Sequence, residues 1–385
     1  MSPRRLLSNP LTLLVVVHLY VGWRLIPALS GLAAAQIAFV AYLVASFVLI
    51  PASMSVRSMR DQRLGERLAW TGFLAMGLFS SLFVLTLLRD GFLAATALVV
   101  PAEVAKLASV TAWIVVSTAL FLSIVGLFIA RRGASVQRVD IPIRDLPDAL
   151  HGFSIVQISD IHVGATIKRA FVTAIVDRVN TLRADLIAVT GDVVDGTVAH
   201  LSAHTQPLSQ LSARHGAFFV TGNHEYYSGE REWSAEFKRL GMTVLKNQHV
   251  VLTHDTASLV IAGVTDESAH HFDPAQRSDP AASLLGAPTD ADVRLLLAHR
   301  PSSAVAASQA GFDLQLSGHT HGGQFWPWNH FVGFFNTFSV GLNKLNDLWV
   351  YVNRGTGYWG PPKRFGVPAE ITHIRLVPAL ARPPF

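Results

Sequence analysis

The sequence contains no cysteine among its 385 residues. Disulfides and thiolate metal ligands are therefore excluded, although this alone does not fix the compartment. Charge is scarce too. Asp, Glu, Lys and Arg make up 15% of the chain, against roughly 25% in soluble domains. The shortage is uneven, and acids are the rarer sign at the start. Residues 1–139 hold twelve Lys/Arg against four Asp/Glu, and the remaining nineteen basic and twenty-two acidic residues lie beyond. The net charge of +5 thus belongs to the N-terminal part. Those cations flank apolar runs, so they do not call for a nucleic-acid partner. There is no internal repeat and no low-complexity tract.

The apolar runs predict membrane helices at about 11–29, 33–54, 68–88 and 108–130, each near the ~20 residues that cross hydrocarbon. Leu32 to Ile50 carries only Gln36 as a strongly polar residue, and Val110 to Ala130 carries no charge. Arg24 and Pro27 interrupt the first run. Residues 91–100 are apolar but short and read as an interfacial or re-entrant segment. Arg4 and Arg5 precede the first span, Arg57, Arg60, Arg63 and Arg67 follow the second, and Arg131, Arg132 and Arg138 follow the fourth. The alternate loops hold only Arg24, Arg89 and Lys106. Cationic loops stay cytoplasmic. The expectation is a multi-pass protein of the cell (inner) membrane whose region after 131 faces the cytoplasm. Ser2-Pro3-Arg4-Arg5-Leu6 loosely resembles a twin-arginine export signal, but four spans and no nearby small-residue cleavage site argue against it. A transporter or channel is a further reading, and the few charges inside the spans argue against that as well.

Residues 132–150, with Pro142 and Pro147, read as a polar linker between a transmembrane region (1–131) and a domain over 151–385. From there short apolar runs alternate with helical periodicity, which predicts an α/β fold. Strands are expected at 153–158, 185–189, 217–220, 243–246, 258–264, 293–298, 312–316, 348–353 and 370–376, with helices at 170–182 and 201–213. Five of these runs stop at residues able to hold a metal: Asp160/His162, Asp192, Asn223/His224, His299 and His319/His321. Ligands of open α/β sheets bind beyond the carboxyl ends of strands, so one crevice can collect them all.

Each fragment alone is ordinary. Gly191-Asp192 suits a turn, Gly222-Asn223 a hairpin corner, and His299 before Arg300-Pro301 a strand end. Their joint order is what carries weight. Carboxylates and imidazoles without thiolates suit Mn, Fe, Zn or Co, and Asp160, His162, Asp192, Asn223, His299, His319 and His321 are too many for one tetrahedral ion. Two ions sharing a carboxylate fit them. Ten further histidines (His18, His200, His204, His215, His249, His254, His270, His271, His330 and His373) read as packing, surface or supporting residues, and Glu225 as a support beside the site.

Ser159-Asp160-Ile161-His162, Gly191-Asp192, Gly222-Asn223-His224-Glu225, Ala298-His299 and Gly318-His319-Thr320-His321 resemble, in order, the signature of calcineurin-like metallophosphoesterases. Gly322-Gly323-Gln324, Asn353-Arg354-Gly355-Thr356-Gly357 and Gly360-Pro361-Pro362-Lys363-Arg364 are similar to the bacterial branch containing YkuE and YaeI. The resemblance covers about 153–376. It implies a four-layer α/β/β/α sandwich and two metal ions (Mn, Fe, Zn or Co), one held by Asp160, His162, Asp192 and His321. The other would be held by Asp192, Asn223, His299 and His319, so that Asp192 bridges. A hydroxide shared by the two ions would attack phosphorus, and His224 would protonate the leaving oxygen or stabilise the transition state.

Some relatives in that branch cleave the pyrophosphate of UDP-diacylglucosamine, which makes a lipid-linked substrate one expectation. The alternative is a weakly catalytic binding or regulatory module on the same fold. Arg354, Lys363 and Arg364 could hold a second phosphate or anionic head groups, or be ordinary solvated charges. Phe325-Trp326-Pro327-Trp328 with Phe331, Phe334, Phe335 and Phe338 reads either as packing beneath a loop or as an apolar lip for a lipid or a membrane surface.

Overall fold

The computed structural model describes residues 9–29, 31–56, 59 and 61–379. Arg4, Arg5, Arg57, Arg60 and the twin-arginine-like segment lie outside these described residues. The chain divides into two compact units, one of Met1–Phe128 with Gly360–Phe365, the other of Ile129–Trp359 with Gly366–Phe385.

The first unit is helical. Helices α1 (Pro10–Leu25), α2 (Ala33–Met54), α3 (Gln62–Val99) and α4 (Val104–Arg131), the first counted with its continuation to Leu29 and the last from Pro101, are long and apolar enough to cross a membrane. Asn9 and Asp61 cap α1 and α3, each side-chain oxygen accepting from a first-turn N–H. The helices meet over Leu25, Leu43, Phe79, Leu82 and Val115. Gly72 allows α2 and α3 to touch, since a Cβ there would lie 2.3 Å from the Leu49 carbonyl oxygen. His18 is packed as expected, its ring stacked 3.8 Å from Phe79 and its Nε2 3.1 Å from the Ser46 hydroxyl.

Two expectations are corrected here. Residues 91–99 form no separate interfacial segment but continue α3, because Leu93, Ala94, Ala95, Ala97 and Leu98 favour helix and no proline intervenes before Pro101. Lys363 and Arg364 are not ordinary solvated charges. Lys363 belongs to the helical unit, where its ammonium donates to the Gly77 carbonyl (3.0 Å) and the Ser81 and Ser123 hydroxyls. Gly126 makes room for the lysine stem, and Arg364 is fully buried.

The second unit contains two six-stranded sheets. One has the order β1-β12-β2-β3-β4-β5, built from Ser135–Ile143, Glu370–Pro378, Ser154–Ile158, Leu186–Val189, Ala217–Phe219 and Thr243–Val244. The other has the order β10-β11-β9-β8-β7-β6, built from Gly341–Leu345, Leu348–Val352, Leu314–Ser317, Val293–Leu297, Ala257–Gly263 and Gln248–His254. Strands β2, β3 and β4 run parallel, with Ile155 opposite Leu186 and Ile187 opposite Ala217. Their inner faces (Ile155, Leu186, Phe218) share a core with Ile261, Leu295 and Leu314 of the second sheet.

Outside the first sheet, α5 (Arg169–Asn180) and α8 (Glu230–Arg239) bury Ile175, Val176, Trp233 and Phe237, with α6 (Val198–Thr205) and α7 (Asn223–Ser228) between them in sequence. Outside the second sheet, α9 (Ala304–Ala310) buries Ala304 and Ala307. The result is the expected four-layer α/β/β/α sandwich. The supposed linker is partly strand. Residues Ser135–Ile143 pair in parallel with β12 at the sheet's edge, a position where Pro142 is tolerated.

Candidate metal centre

The site forms where strands of both sheets stop. Asp160 and His162 follow β2, Asp192 follows β3, Asn223 and His224 open α7 after β4, His299 follows β8, and His319 and His321 follow β9. Three groups of donors result: Asp160, His162 and His321; His162, Asp192 and His224; Asp192, His299 and His319. Within each group the ligand atoms lie within 4.8 Å of one another. Asp192 and His162 are each shared by two groups, and Asp192 is the carboxylate of that pair. All but the partly buried His319 are buried.

The backbone is bent to achieve this. Asp160, His162, Asp192, His319 and His321 have φ of 52°, 57°, 53°, 72° and 51°, a left-handed conformation rare outside glycine. Glycines beside them admit the close approach. A Cβ on Gly318 would lie 2.2 Å from Asp160 Oδ2, and one on Gly222 would lie 2.2 Å from Asp192 Oδ1. The His319 N–H donates to both Asp160 oxygens at 3.1 Å, and the His224 N–H donates to Asp192 Oδ1 at 2.8 Å.

His299 and His162 are each oriented by the outer nitrogen of the ring. His299 Nδ1 donates to the Thr190 carbonyl at 2.8 Å, leaving Nε2 3.2 Å from Asp192 Oδ2. His162 Nδ1 lies 3.2 Å from Asp195 Oδ2, and its Nε2 faces His321 Nε2 at 3.1 Å. His319 presents Nδ1, 3.2 Å from His299 Nε2. This is the arrangement in which metal-ligating histidines are usually held. Asn223 supplies a second indication. Its Oδ1 is buried and accepts no hydrogen bond among the described residues, an acceptor whose burial is costly unless a cation satisfies it. The donors therefore fit two cations, Asp160, His162, Asp192 and His321 for one, Asp192, Asn223, His299 and His319 for the other.

Electrostatics follow from burial and crowding. Burial would raise Asp192, yet the imidazoles led by His299 outweigh it and hold the carboxyl well below the usual range. Burial prevails at Asp160 and pushes it up. Burial would lower His299, but the Asp192 charge and hydrogen bond push it up to about 10. His319 is held down to about 3 by burial and by the His299 charge.

Two supports complete the site. Glu225 is fully buried and accepts N–H groups of Gly222, Asp192, Val193 and Val194, in keeping with the supporting role expected of it. Burial and the Asp192 charge push it up to about 8, against the pull of those backbone donors. Asp195 escaped the sequence reading. It contacts Nδ1 of both His162 and His224, and these imidazoles overcome its burial to hold it far below the ordinary carboxylate range. Its signal was present: an acid three residues past Asp192, set among valines and Gly196.

Around His224 the surface is aromatic, with the rings of Tyr227 and Trp359 at 5.6 and 5.8 Å. The 325–338 stretch divides between its two readings. Phe325 is buried and Phe338 packs against the core beneath α9, whereas Trp328, Phe331, Phe334 and Phe335 are exposed. Arg354 lies with Nε 3.7 Å from Glu370 and its Cγ beside Gly322, next to the His321 turn.

Two mixed sheets whose strand ends gather Asp160, Asp192 and a cluster of imidazoles able to hold metal define a protein of the metallophosphoesterase class. Residues 153–323 match the calcineurin-like phosphoesterase family. A Danio rerio transmembrane protein with metallophosphoesterase domain is 36% identical over 66% of this chain and 60% of its own length. An uncharacterized metallophosphoesterase of Aquifex aeolicus is 31% identical over 63% of this chain and 91% of its own length. The uncharacterized metallophosphoesterase YkuE of Bacillus subtilis is 30% identical over 60% and 81%, respectively. The chain belongs to the calcineurin-like metallophosphoesterase family. It spans about 60% of the length of the Danio rerio and Bos taurus relatives.

Proposed function

We propose that the chain is a membrane-anchored hydrolase that cleaves a phosphoester or pyrophosphate bond, with a lipid-linked phosphate compound such as a UDP-diacylglucosamine as its substrate class. The observation that carries this reading is the convergence of Asp160, His162, Asp192, Asn223, His299, His319 and His321 from the ends of strands in two different sheets. When bound, the two cations would activate a water and neutralise charge on the phosphoryl oxygens.

The chain's own groups supply the rest. Asp195 holds His224 Nδ1, which leaves Nε2 facing the cluster, 3.8 Å from Asp192 Oδ2. From there His224 can pass a proton to the leaving oxygen, and Asp195 steadies the imidazolium that precedes that transfer. Arg354, beside the His321 turn, is the residue placed to meet a second phosphate.

The membrane side of the proposal is supported by the four apolar helices and the exposed Trp328, Phe331, Phe334 and Phe335. The arginines at the start of α3 and the end of α4 support a cytoplasmic catalytic domain in a cell membrane. Hydrolysis of bis(p-nitrophenyl) phosphate by the full chain with Mn²⁺ tests the activity. It should vanish on chelation and in Asp192→Ala and His224→Ala variants. A chain that binds Mn²⁺ stoichiometrically yet turns over none of a panel of nucleotide-activated lipids, cyclic nucleotides and phospholipids would instead be a binding module.

A further inference from the structure

The helical unit contains a charged cluster that the phosphoesterase chemistry does not use. The end of α1, the later part of α3 and the start of α4 come together around Asp90. Its carboxylate accepts from the Tyr20 hydroxyl (2.7 Å), from Arg24 Nε and Nη2 (2.8 and 2.9 Å) and from Arg89 Nη1 (3.4 Å). Arg89 is fully engaged. Its Nε donates to the Thr111 hydroxyl, Nη2 to the Ala108 carbonyl at 2.8 Å, and Nη1 also to the Arg24 carbonyl. Arg24 differs. Its side chain is 31% exposed, and no partner is found for its Nη1 among the described residues.

Beside this cluster lies a cavity of about 640 Å³ whose walls include Arg24, Arg89, Asp90, Leu93, Ala105 and Ser109. Two guanidinium groups against one carboxylate leave one positive charge within this cluster. Such a charge is costly among membrane helices unless an anion meets it. Asp90 and the Trp23 ring, 5.2 Å from the Arg24 guanidinium, hold that group in place, so little freedom remains to be lost on binding.

We propose that this cavity binds the phosphate headgroup of an anionic lipid, with Arg24 Nη1 donating to a phosphate oxygen and Leu93 and Ala105 lining the path of an acyl chain. Guanidinium suits phosphate because its planar donors match two oxygens. The site lies at the opposite end of α4 from Arg131, and it stands independently of the hydrolytic reading. A free phosphate offers the same oxygens without the acyl chain, so the test separates the two.

The full chain, purified in detergent, is offered dihexanoyl phosphatidylglycerol, dihexanoyl phosphatidylcholine or inorganic phosphate, and binding is read by native mass spectrometry and by the shift in Tm. Phosphatidylglycerol should be retained and raise Tm, with the other two well behind. Arg24→Gln should weaken its binding about tenfold or more, the loss of one charge-assisted contact. Ala105→Trp, which fills the wall without touching the ion pairs, should do the same, and both variants should hydrolyse a soluble phosphodiester as the parent chain does. Equal retention of the two lipids, phosphate matching phosphatidylglycerol, or both variants binding like the parent would overturn the proposal. An inactive parent chain would count against the proposed function and leave this site standing.

Discussion

Asp195 holds His224 by its Nδ1, so the opposite nitrogen of the ring points into the metal cluster. The same carboxylate reaches His162, coupling a proposed ligand to a proposed proton donor. Asp195→Asn keeps the shape but removes the charge that favours the imidazolium. We expect kcat on bis(p-nitrophenyl) phosphate to fall about 10–100-fold, in the range seen when outer partners of metal-site histidines are changed. KM should move little, and the alkaline side of the pH–rate profile should shift. Unchanged kcat with an unchanged profile would show that Asp195 is only packing.

Gly357 governs the backbone beneath Asp160. Its N–H donates to the Asp160 carbonyl at 3.0 Å, and a Cβ on it would lie 2.1 Å from the Ile161 carbonyl oxygen. Gly357→Ala should therefore cost about 1–3 kcal/mol, the usual penalty of overpacking. It should also lower the Mn²⁺ content of the purified protein, as measured by elemental analysis. A variant as stable and as metal-replete as its parent would contradict this.

Lys363 gives the reverse expectation. With its ammonium bonded to Gly77, Ser81 and Ser123, Lys363→Ala should leave the buried Ser81 hydroxyl without this donor and remove the contacts to Gly77 and Ser123. The Tm in detergent should drop by several degrees, since about 1–3 kcal/mol accompanies each orphaned buried group. KM for a soluble phosphodiester should be unchanged. A raised KM at unchanged Tm would instead support the phosphate-binding role that the sequence suggested.

The exposed Phe334 and Phe335 test the lipid side of the proposed function. Replacing both by serine should slow turnover of a lipid-presented substrate severalfold while sparing a water-soluble one. The absence of cysteine offers a second check. A single Phe334→Cys carries one fluorophore, which nitroxide-bearing lipids should quench in nanodiscs. Quenching only by aqueous iodide would place the loop in water.

Much of this was legible because the ligands punctuate strands. A short, mostly buried run of three to five residues followed by a turn and a metal donor is visible in one dimension, and β2, β3, β4, β8 and β9 all have that form. What stayed hidden depends on partners distant in sequence. Strand β1 carries Pro142 and looks like a linker until β12, more than 200 residues away, pairs with it. Asp195 looks like one more turn residue until His162 and His224 arrive from other strands. Lys363 sits in a Pro-rich stretch resembling a surface loop, and only its burial in the helical unit reveals otherwise.

The left-handed torsions at Asp160, His162, Asp192, His319 and His321 impose a restriction of their own. Asp, Asn and His are the non-glycine residues that enter this region most readily, and two of those three are strong donors to hard or borderline cations. Residue choice at each position thus answers two demands at once, conformation and coordination. Exchanging an aspartate here for glutamate would preserve the charge yet forfeit the tolerated torsion, which makes the longer acid a poor substitute even where its oxygens could reach.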